Sequence, residues 1–113
     1  MVDLADVLGA IAEIEGAEGY EGPHIAEKLQ TANHRLASMP IGEELWQDHV
    51  VGEIGRACSK NRWRIGTAES YPDDELIVIM DIWRGSPPKC YTGRGESRAL
   101  AAALAWRKAI SED

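Results

Sequence analysis

The chain has 113 residues, of which 44% are apolar and 27% are charged, and its formal net charge is −7 with a pI of about 4.9. This length fits a single domain with one modest core. The acidic balance argues against a general binder of nucleic-acid phosphates, and no apolar run approaches the ~18 residues that span a bilayer.

Charge is unevenly distributed along the chain. Residues 1–55 contain 11 acidic and 2 basic residues, whereas residues 84–110 contain 6 basic residues and 1 acidic residue. Two interpretations are open. Either these segments form solvated surfaces that attract each other weakly, or the acidic half is a face that docks on a basic partner.

Cys58 and Cys90 are the only cysteines, and they form no C-x-x-C motif. Two thiols at this spacing indicate no disulfide framework, which favours a reduced, cytoplasmic setting. Residues 1–6 lack the basic start of a secretory signal peptide. We therefore expect a cytoplasmic protein that does not associate with membranes.

Three helices are predicted in the amino-terminal half. Apolar residues recur every three or four positions over Asp3–Glu15, whose first residue is the expected N-cap. A second helix is predicted over Pro23–Ser38, because proline suits the first helical position and a Met-Pro pair follows. A third is predicted over Gly42–Ala57. Gly52 and Gly55 each weaken it by about 1 kcal/mol, which the close approach of another element would explain.

The carboxy-terminal half is predicted to form three strands and a helix. The strands are Arg62–Ala68, Glu75–Arg84 and Lys89–Thr92, joined by turns at 69–74 and at a Gly-Ser-Pro-Pro segment. An alanine-rich helix, Glu96–Ile110, follows. A mostly antiparallel sheet with a helix laid on it is the natural nucleus of such a fold.

The predicted fold class is α+β, in a single domain with a helical part at 1–58 and a β-β-β-α part at 59–113. Both faces of the second strand are apolar at its start, which is typical of a strand covered on both sides. This favours a helix–sheet–helix sandwich, with the amino-terminal helices on one face and the carboxy-terminal helix on the other. In the alternative arrangement, all helices lie on one face and the second face of the sheet meets a partner.

The predicted arrangement specifies the positions of five side chains. Trp63 and Trp83 are expected within the sheet. Leu100, Leu104 and Ile110 lie near one side of the last helix and are expected to be buried against one face of the sheet.

The sequence contains few candidates for catalytic or metal-binding residues. Asp48, His49 and Glu53 lie close together on the third predicted helix, but no H-x-x-x-H or C-x-x-C motif supports a metal site. Cys58 follows His49 by nine residues, so the two would not meet as nucleophile and base on one helix face. We therefore expect no metal, no cofactor and no enzymatic activity.

The segment Gly-Arg-Gly-Glu-Ser-Arg, residues 93–98, is the most distinctive candidate loop. Its two glycines let the backbone turn ahead of a helix N-terminus, where free N–H groups favour anions. The anion-binding candidates are Gly93, Arg94, Gly95 and Arg98. The alternative is a strand-to-helix turn that is capped by Ser97.

Three features of this half stand in a characteristic order: the segment Arg62-Trp63-Arg64-Ile65, a second strand that ends near Trp83, and Gly93 leading into an alanine-rich helix. In this order they resemble the carboxy-terminal half of the phage ABA-sandwich domain. Members of that family are small phage and prophage proteins with helices on both sides of a small sheet. The resemblance implies the same layering and a viral origin, and it supplies no catalytic residues.

The same half is also similar in topology to a double-stranded-RNA-binding domain, which ends in three strands and a helix that opens Gly-x-Gly-x-Ser-Lys-Lys-x-Ala-Lys. The matching positions include Gly93, Gly95, Ser97 and Ala101. Arg98 stands for the first phosphate-gripping lysine, but Ala99 and Ala102 replace the other two. The loss of two of the three cations removes most of the electrostatic attraction that such a domain has for the RNA phosphates, so we discount RNA binding.

These patterns favour a non-enzymatic, phage-derived accessory protein that binds a host or phage protein in the cytoplasm of the host cell. Inhibition of a host defence system, in the manner of an anti-CRISPR protein, is the specific expectation. The acidic partner-binding candidates are Glu43, Glu44, Asp48 and Glu53. The alternative is a nucleic-acid-binding module that uses Arg62, Arg64, Arg94 and Arg98. The oligomeric state is left open, with a homodimer as one option.

Overall fold

The computed structural model describes residues 3–37, 43–70 and 76–111. Within them it contains four helices and one three-stranded antiparallel sheet. In chain order the elements are α1 (Leu4–Glu15), α2 (Ala26–Ala37), α3 (Glu43–Lys60), β1 (Arg64–Ser70), β2 (Ile77–Arg84), β3 (Lys89–Gly95) and α4 (Arg98–Ser111). The predicted α+β class, with its small antiparallel sheet, is confirmed.

A carboxylate at the end of α1 determines where α2 begins. Asp3 caps the start of α1, as predicted. At the other end, the carboxylate of Glu15 accepts hydrogen bonds from the backbone N–H groups of Ile25, at 2.7 Å, and Ala26, at 3.0 Å. Ile25 immediately precedes α2 and Ala26 is its first residue, and N–H groups at the start of a helix lack partners within the helix. Helix α2 therefore starts three residues later than the predicted start at Pro23.

Helix α3 extends past the predicted end at Ala57. Its predicted start at Gly42, like the predicted end of the second helix at Ser38, lies outside the described residues. The close approach expected at its two glycines is not observed. A Cβ atom at Gly55 would meet nothing within 4 Å, and at Gly52 the nearest atoms belong to the end of an arginine side chain in the same helix.

The strands pair antiparallel in the order β1-β2-β3. Trp83 lies in β2, as predicted, whereas Trp63 immediately precedes β1. Strand β3 continues to Gly95 instead of ending at Thr92, and α4 begins two residues later than predicted, at Arg98. The Gly-x-Gly sequence is therefore part of a strand and not a turn.

Helix α4 covers one face of the sheet, termed here the inner face. The buried strand residues on this face are Val78, Met80, Ile82, Tyr91 and Gly93. At Gly93 an added Cβ atom would collide with the carbonyl oxygen of Ala101 and would lie 2.5 Å from the nitrogen of Ala105. Glycine on the strand and alanine on the helix thus allow the two backbones to come close together.

The amino-terminal helices lie on the side of α4 that faces away from the sheet. Helices α1 and α3 contact α4, and α2 contacts α1 and α3. The buried residues of α4 are Ala99, Ala101, Ala102, Ala103, Ala105, Trp106 and Ala109. A helix that is apolar on several sides is buried on several sides, and α4 packs against both the sheet and the other helices. The order of layers therefore follows the alternative arrangement, with the described helices on one face of the sheet, and not the helix–sheet–helix order.

Trp106 lies at the centre of the core. Its side chain is fully buried, and its ring centroid is 5.3 Å from that of Trp63. Leu100, Leu104 and Ile110 pack against the core but are only partly buried. Among the described helices, none combines the length and the apolar character that crossing a membrane requires.

Candidate functional site

Two of the four acidic partner-binding candidates are held in ion pairs within the chain. Asp48 pairs with Arg98 at 3.0 Å, which links α3 to the start of α4, and its side chain is 59% exposed. Glu53 pairs with an arginine one turn later in α3. The side chains of Glu43 and Glu44 lie outside the described part of the chain. The partner-binding role of these four residues stays a prediction.

The anion-binding candidates are not brought together at one point. The backbone N–H of Arg98 donates to Gln47 Oε1 at 2.9 Å, and that of Leu100 donates to Ser97 Oγ at 3.2 Å. The start of α4 is therefore capped by Ser97, as in the alternative prediction, and also by Gln47 from α3. Arg94 lies in the sheet on the face opposite α4. Anion binding stays a prediction, and the contacts of the two glycines and Arg98 give them roles in the fold.

Cys58 and His49 lie in different environments. Cys58 is buried, and burial raises the pKa of its thiol to about 11. That shift is opposite to the one that activates a nucleophilic cysteine. His49 is exposed on α3. In the described ranges, no group of three or more His, Cys, Asp or Glu side chains could hold a metal ion.

The second face of the sheet, termed here the outer face, is not covered by any described helix. Its residues are Arg64, Gly66 and Ala68 from β1, Ile77, Ile79, Asp81 and Trp83 from β2, and Cys90, Thr92 and Arg94 from β3. Ile77, Ile79 and Trp83 are only partly buried. Leu76, just before β2, is 39% exposed. An apolar surface on an open sheet face is typical of an interaction site.

Trp83 gives the outer face much of its shape. A Cβ atom at Gly66 would lie 3.2 and 3.3 Å from the six-membered ring of Trp83. The indole therefore extends across the neighbouring strand and covers Gly66. Asp81, also on this face, accepts a hydrogen bond from the hydroxyl of Thr92, which holds its Oδ1 atom.

Two exposed arginines lie on opposite sides of the outer face. Arg64 is on β1 beside Trp83, and Arg94 is on β3 beside Ile79. The other two arginines of the nucleic-acid alternative lie elsewhere. Arg62 is in the turn before β1, and the guanidinium of Arg98 pairs with an acid of α3.

A separate acidic surface lies on α1, α2 and the loop between them. Its exposed acidic residues are Asp6, Glu13, Glu18, Glu21 and Glu27. None of them forms an ion pair within the described residues. The partner-binding candidates predicted on α3 do not include this surface, although the excess of acidic residues over residues 1–55 indicated it.

A cleft of about 640 Å³ separates the α1–α2 loop from the end of the sheet. Its lining includes Tyr20, Trp63 and Arg84. Tyr20 donates to the carbonyl of Pro23 at 2.8 Å, and Arg84 lies 5.0 Å from the Trp63 ring and donates to the carbonyl of Ala109. The pKa of Tyr20 is raised to about 12, first by burial and then by Glu15, while Arg84 opposes the shift. Both polar groups already have partners within the chain, so the cleft is a weaker candidate than the outer face.

No family model, curated protein or solved structure matches this chain.

Proposed function

We propose that this protein is a non-enzymatic accessory protein that acts by binding another protein. The observation that carries the proposal is the outer face, where Ile77, Ile79 and Trp83 form an apolar strip that no described helix covers. Strand β2 is apolar on both faces, yet the described helices cover only one of them. A partner that covers the second face would remove this apolar area from water.

The acidic surface has a supporting role in this proposal. Its five carboxylates lie on the helical side of the molecule, away from the outer face. Exposed charges of one sign mainly increase the rate of encounter with a partner of opposite charge. The outer face would then provide most of the apolar contact, and the acidic surface would favour a partner with a basic region.

The biological setting is a further part of the proposal. The order of Trp63, Trp83 and the segment from Gly93 into the alanine-rich helix resembles that of the phage ABA-sandwich domain, although the described helices do not take the two-sided layering of that family. This order supports a phage-derived protein that works in the cytoplasm of the host cell. Inhibition of a host defence component, such as a CRISPR effector, fits an acidic protein that competes for a basic surface. This part depends on the resemblance and on the net charge of −7.

A nucleic-acid-binding function is the second candidate, and one observation favours it. Arg64, Arg94 and Trp83 share an open sheet face, and aromatic side chains with nearby cations serve as platforms for single strands. Asp81 opposes it, because its carboxylate lies between the two arginines on the same face and would repel phosphates. The net charge of −7 opposes it as well.

Affinity purification decides between the two. Tagged protein is incubated with a bacterial lysate treated with nuclease, and retained proteins are identified by mass spectrometry. An unrelated tagged protein of the same net charge is the control. We expect a specific protein to be retained in near-stoichiometric amount. The contrary result is no specific protein, together with micromolar binding of single strands or duplexes in fluorescence anisotropy at ~100 mM salt.

A further inference from the structure

We propose that the outer face receives one amphipathic helix of the partner protein. The apolar stripe of this helix would lie along Ile77, Ile79 and Trp83, and carboxylates on its two flanks would pair with Arg64 and Arg94. The inference rests on the proposed function, since it specifies the chemistry of the protein that is bound.

The dimensions of the face fit one helix. The outer strands of a three-stranded sheet are about 10 Å apart, and seven or eight residues of strand span roughly 25 Å. A helix is about 10 Å wide, and one of 14 residues is about 21 Å long. Helix α4, with 14 residues, covers the inner face of this same sheet. One partner helix of similar length would cover the outer face in the same way.

The charges of the face specify the flanks of that helix. Apolar side chains run along the central strand, while Arg64 lies on one outer strand and Arg94 on the other, two rows further along. A helix that follows β2 would therefore pass an arginine on each side. Carboxylates that meet a planar guanidinium form the stronger class of hydrogen bonds. Asp81 lies under the middle of the helix, where a hydrogen-bond donor is favoured.

A second copy of this chain is a poorer occupant. The strand spacing and length give an area of only a few hundred Å², whereas a stable interface buries about 800 Å² on each partner. A two-fold axis through the centre of the face would also place Asp81 of one copy against Asp81 of the other. Like charges in direct opposition are unfavourable.

The test uses a display library of random 16-residue peptides selected on the immobilised full chain. Two outer-face variants are compared with wild type, R64E/R94E and I79T, the second of which keeps a β-branched residue in the strand. The matched control is K60E/R107E, which makes the same change in net charge at exposed residues of α3 and α4. Circular dichroism and thermal melting confirm that each variant is folded.

The expected result has three parts. Enriched peptides show apolar residues at helical spacing with acidic flanks, and they become helical when bound. Their affinity falls at least tenfold on R64E/R94E and on I79T but is unchanged on K60E/R107E. Peptides with the acidic flanks changed to lysine prefer R64E/R94E over wild type.

Several results would overturn the inference: no enrichment, basic or extended peptides, or equal binding to wild type and both outer-face variants. A dimer in sedimentation that I79T dissociates would assign the face to a second copy. Micromolar binding of single-stranded oligonucleotides that R64E/R94E abolishes would assign it to nucleic acid. If a lysate protein is retained equally by wild type and both variants, the helix assignment fails while the protein-binding function stands.

Discussion

Replacing glycine by alanine is expected to have opposite effects on stability at two positions of this fold, Gly93 and Gly55. At Gly93 the change to alanine would force β3 and α4 apart, because the new Cβ atom meets the backbone of Ala101 and Ala105. We expect G93A to lower the free energy of unfolding by about 1–3 kcal/mol or more.

The control for this prediction is Gly55, in the middle of α3, where an added Cβ atom meets nothing within 4 Å. We expect G55A to raise the free energy of unfolding by up to about 1 kcal/mol, through helix propensity alone. Urea denaturation of both variants measures the effects. Equal shifts in the two variants would contradict the close contact between β3 and α4.

The raised pKa values of Cys58, which is buried, and Tyr20, which is partly buried, lead us to expect a loss of stability at alkaline pH. The pKa of Cys58 is raised to about 11 and that of Tyr20 to about 12, from ordinary values of 9.0 and 10.0. The unfolded chain therefore releases these protons at lower pH than the native chain does. Their stabilising contribution is complete below pH 9 and is lost as the pH rises towards 12.

Denaturation curves at pH 8, 9.5 and 10.5 measure this decline. In the C58A variant the part that begins near pH 9 should be absent, and the decline should begin nearer pH 10. The same pH dependence in wild type and C58A would show that the Cys58 thiol is not protected by burial.

At the scale of elements, the carboxylate of Glu15 joins the end of α1 to the start of α2. Hydrogen bonds to charged groups contribute about 1.5–3 kcal/mol. We therefore expect E15A to reduce the free energy of unfolding by about that amount, and E15Q by less, since one acceptor remains. E13A changes an exposed residue of the same helix and should have little effect. Equal loss in E15A and E13A would contradict the role of Glu15 as a cap.

Local patterns predicted several of these elements correctly. The stripe of α1, its cap at Asp3 and the position of Trp83 in a strand all follow from residues close in sequence. These signals are periodic or local, so one sequence contains them in full.

The remaining features depend on residues that are distant in sequence. Gln47 caps α4 across 51 positions, and Glu15 caps α2 across 10. Gly93 resembles a turn glycine in sequence, because the backbone that approaches it is not visible there. The alanines of α4 made the helix easy to predict but gave no stripe, so periodicity did not show which sides are buried. For that reason the helix–sheet–helix order that the sequence favoured is wrong, and the described helices lie on one face of the sheet, as in the alternative arrangement.

At the scale of the whole molecule, the acidic surface should affect the rate of association with the partner. We expect reversal of Asp6, Glu13 and Glu27 to lysine to slow association, with little change in dissociation, and to flatten its salt dependence. The amide variants at these positions should be intermediate. Surface plasmon resonance with the retained partner between 50 and 300 mM salt, over which the Debye length shortens from about 14 Å to about 6 Å, measures this. An unchanged association rate in the reversed variant would remove the acidic surface from the proposal.

Absence of a structural metal is also tested on the whole protein. A bound ion would contribute stability in proportion to its affinity for the folded state, so its removal would lower the melting temperature. We expect the melting temperature to be the same with and without a chelator. A large decrease would direct attention to Asp48, His49 and Glu53.

The position of α4 between the sheet and the other helices also has a consequence for synthesis. Because α4 follows every other described element in the chain, it is the last of them to leave the ribosome. Until then the nascent chain lacks Trp106 and the alanines that α1, α3 and the inner face contact. Those apolar surfaces are exposed during translation, when chaperones and proteases can reach them. The helices and the sheet can therefore assemble into the native core only after α4 has emerged.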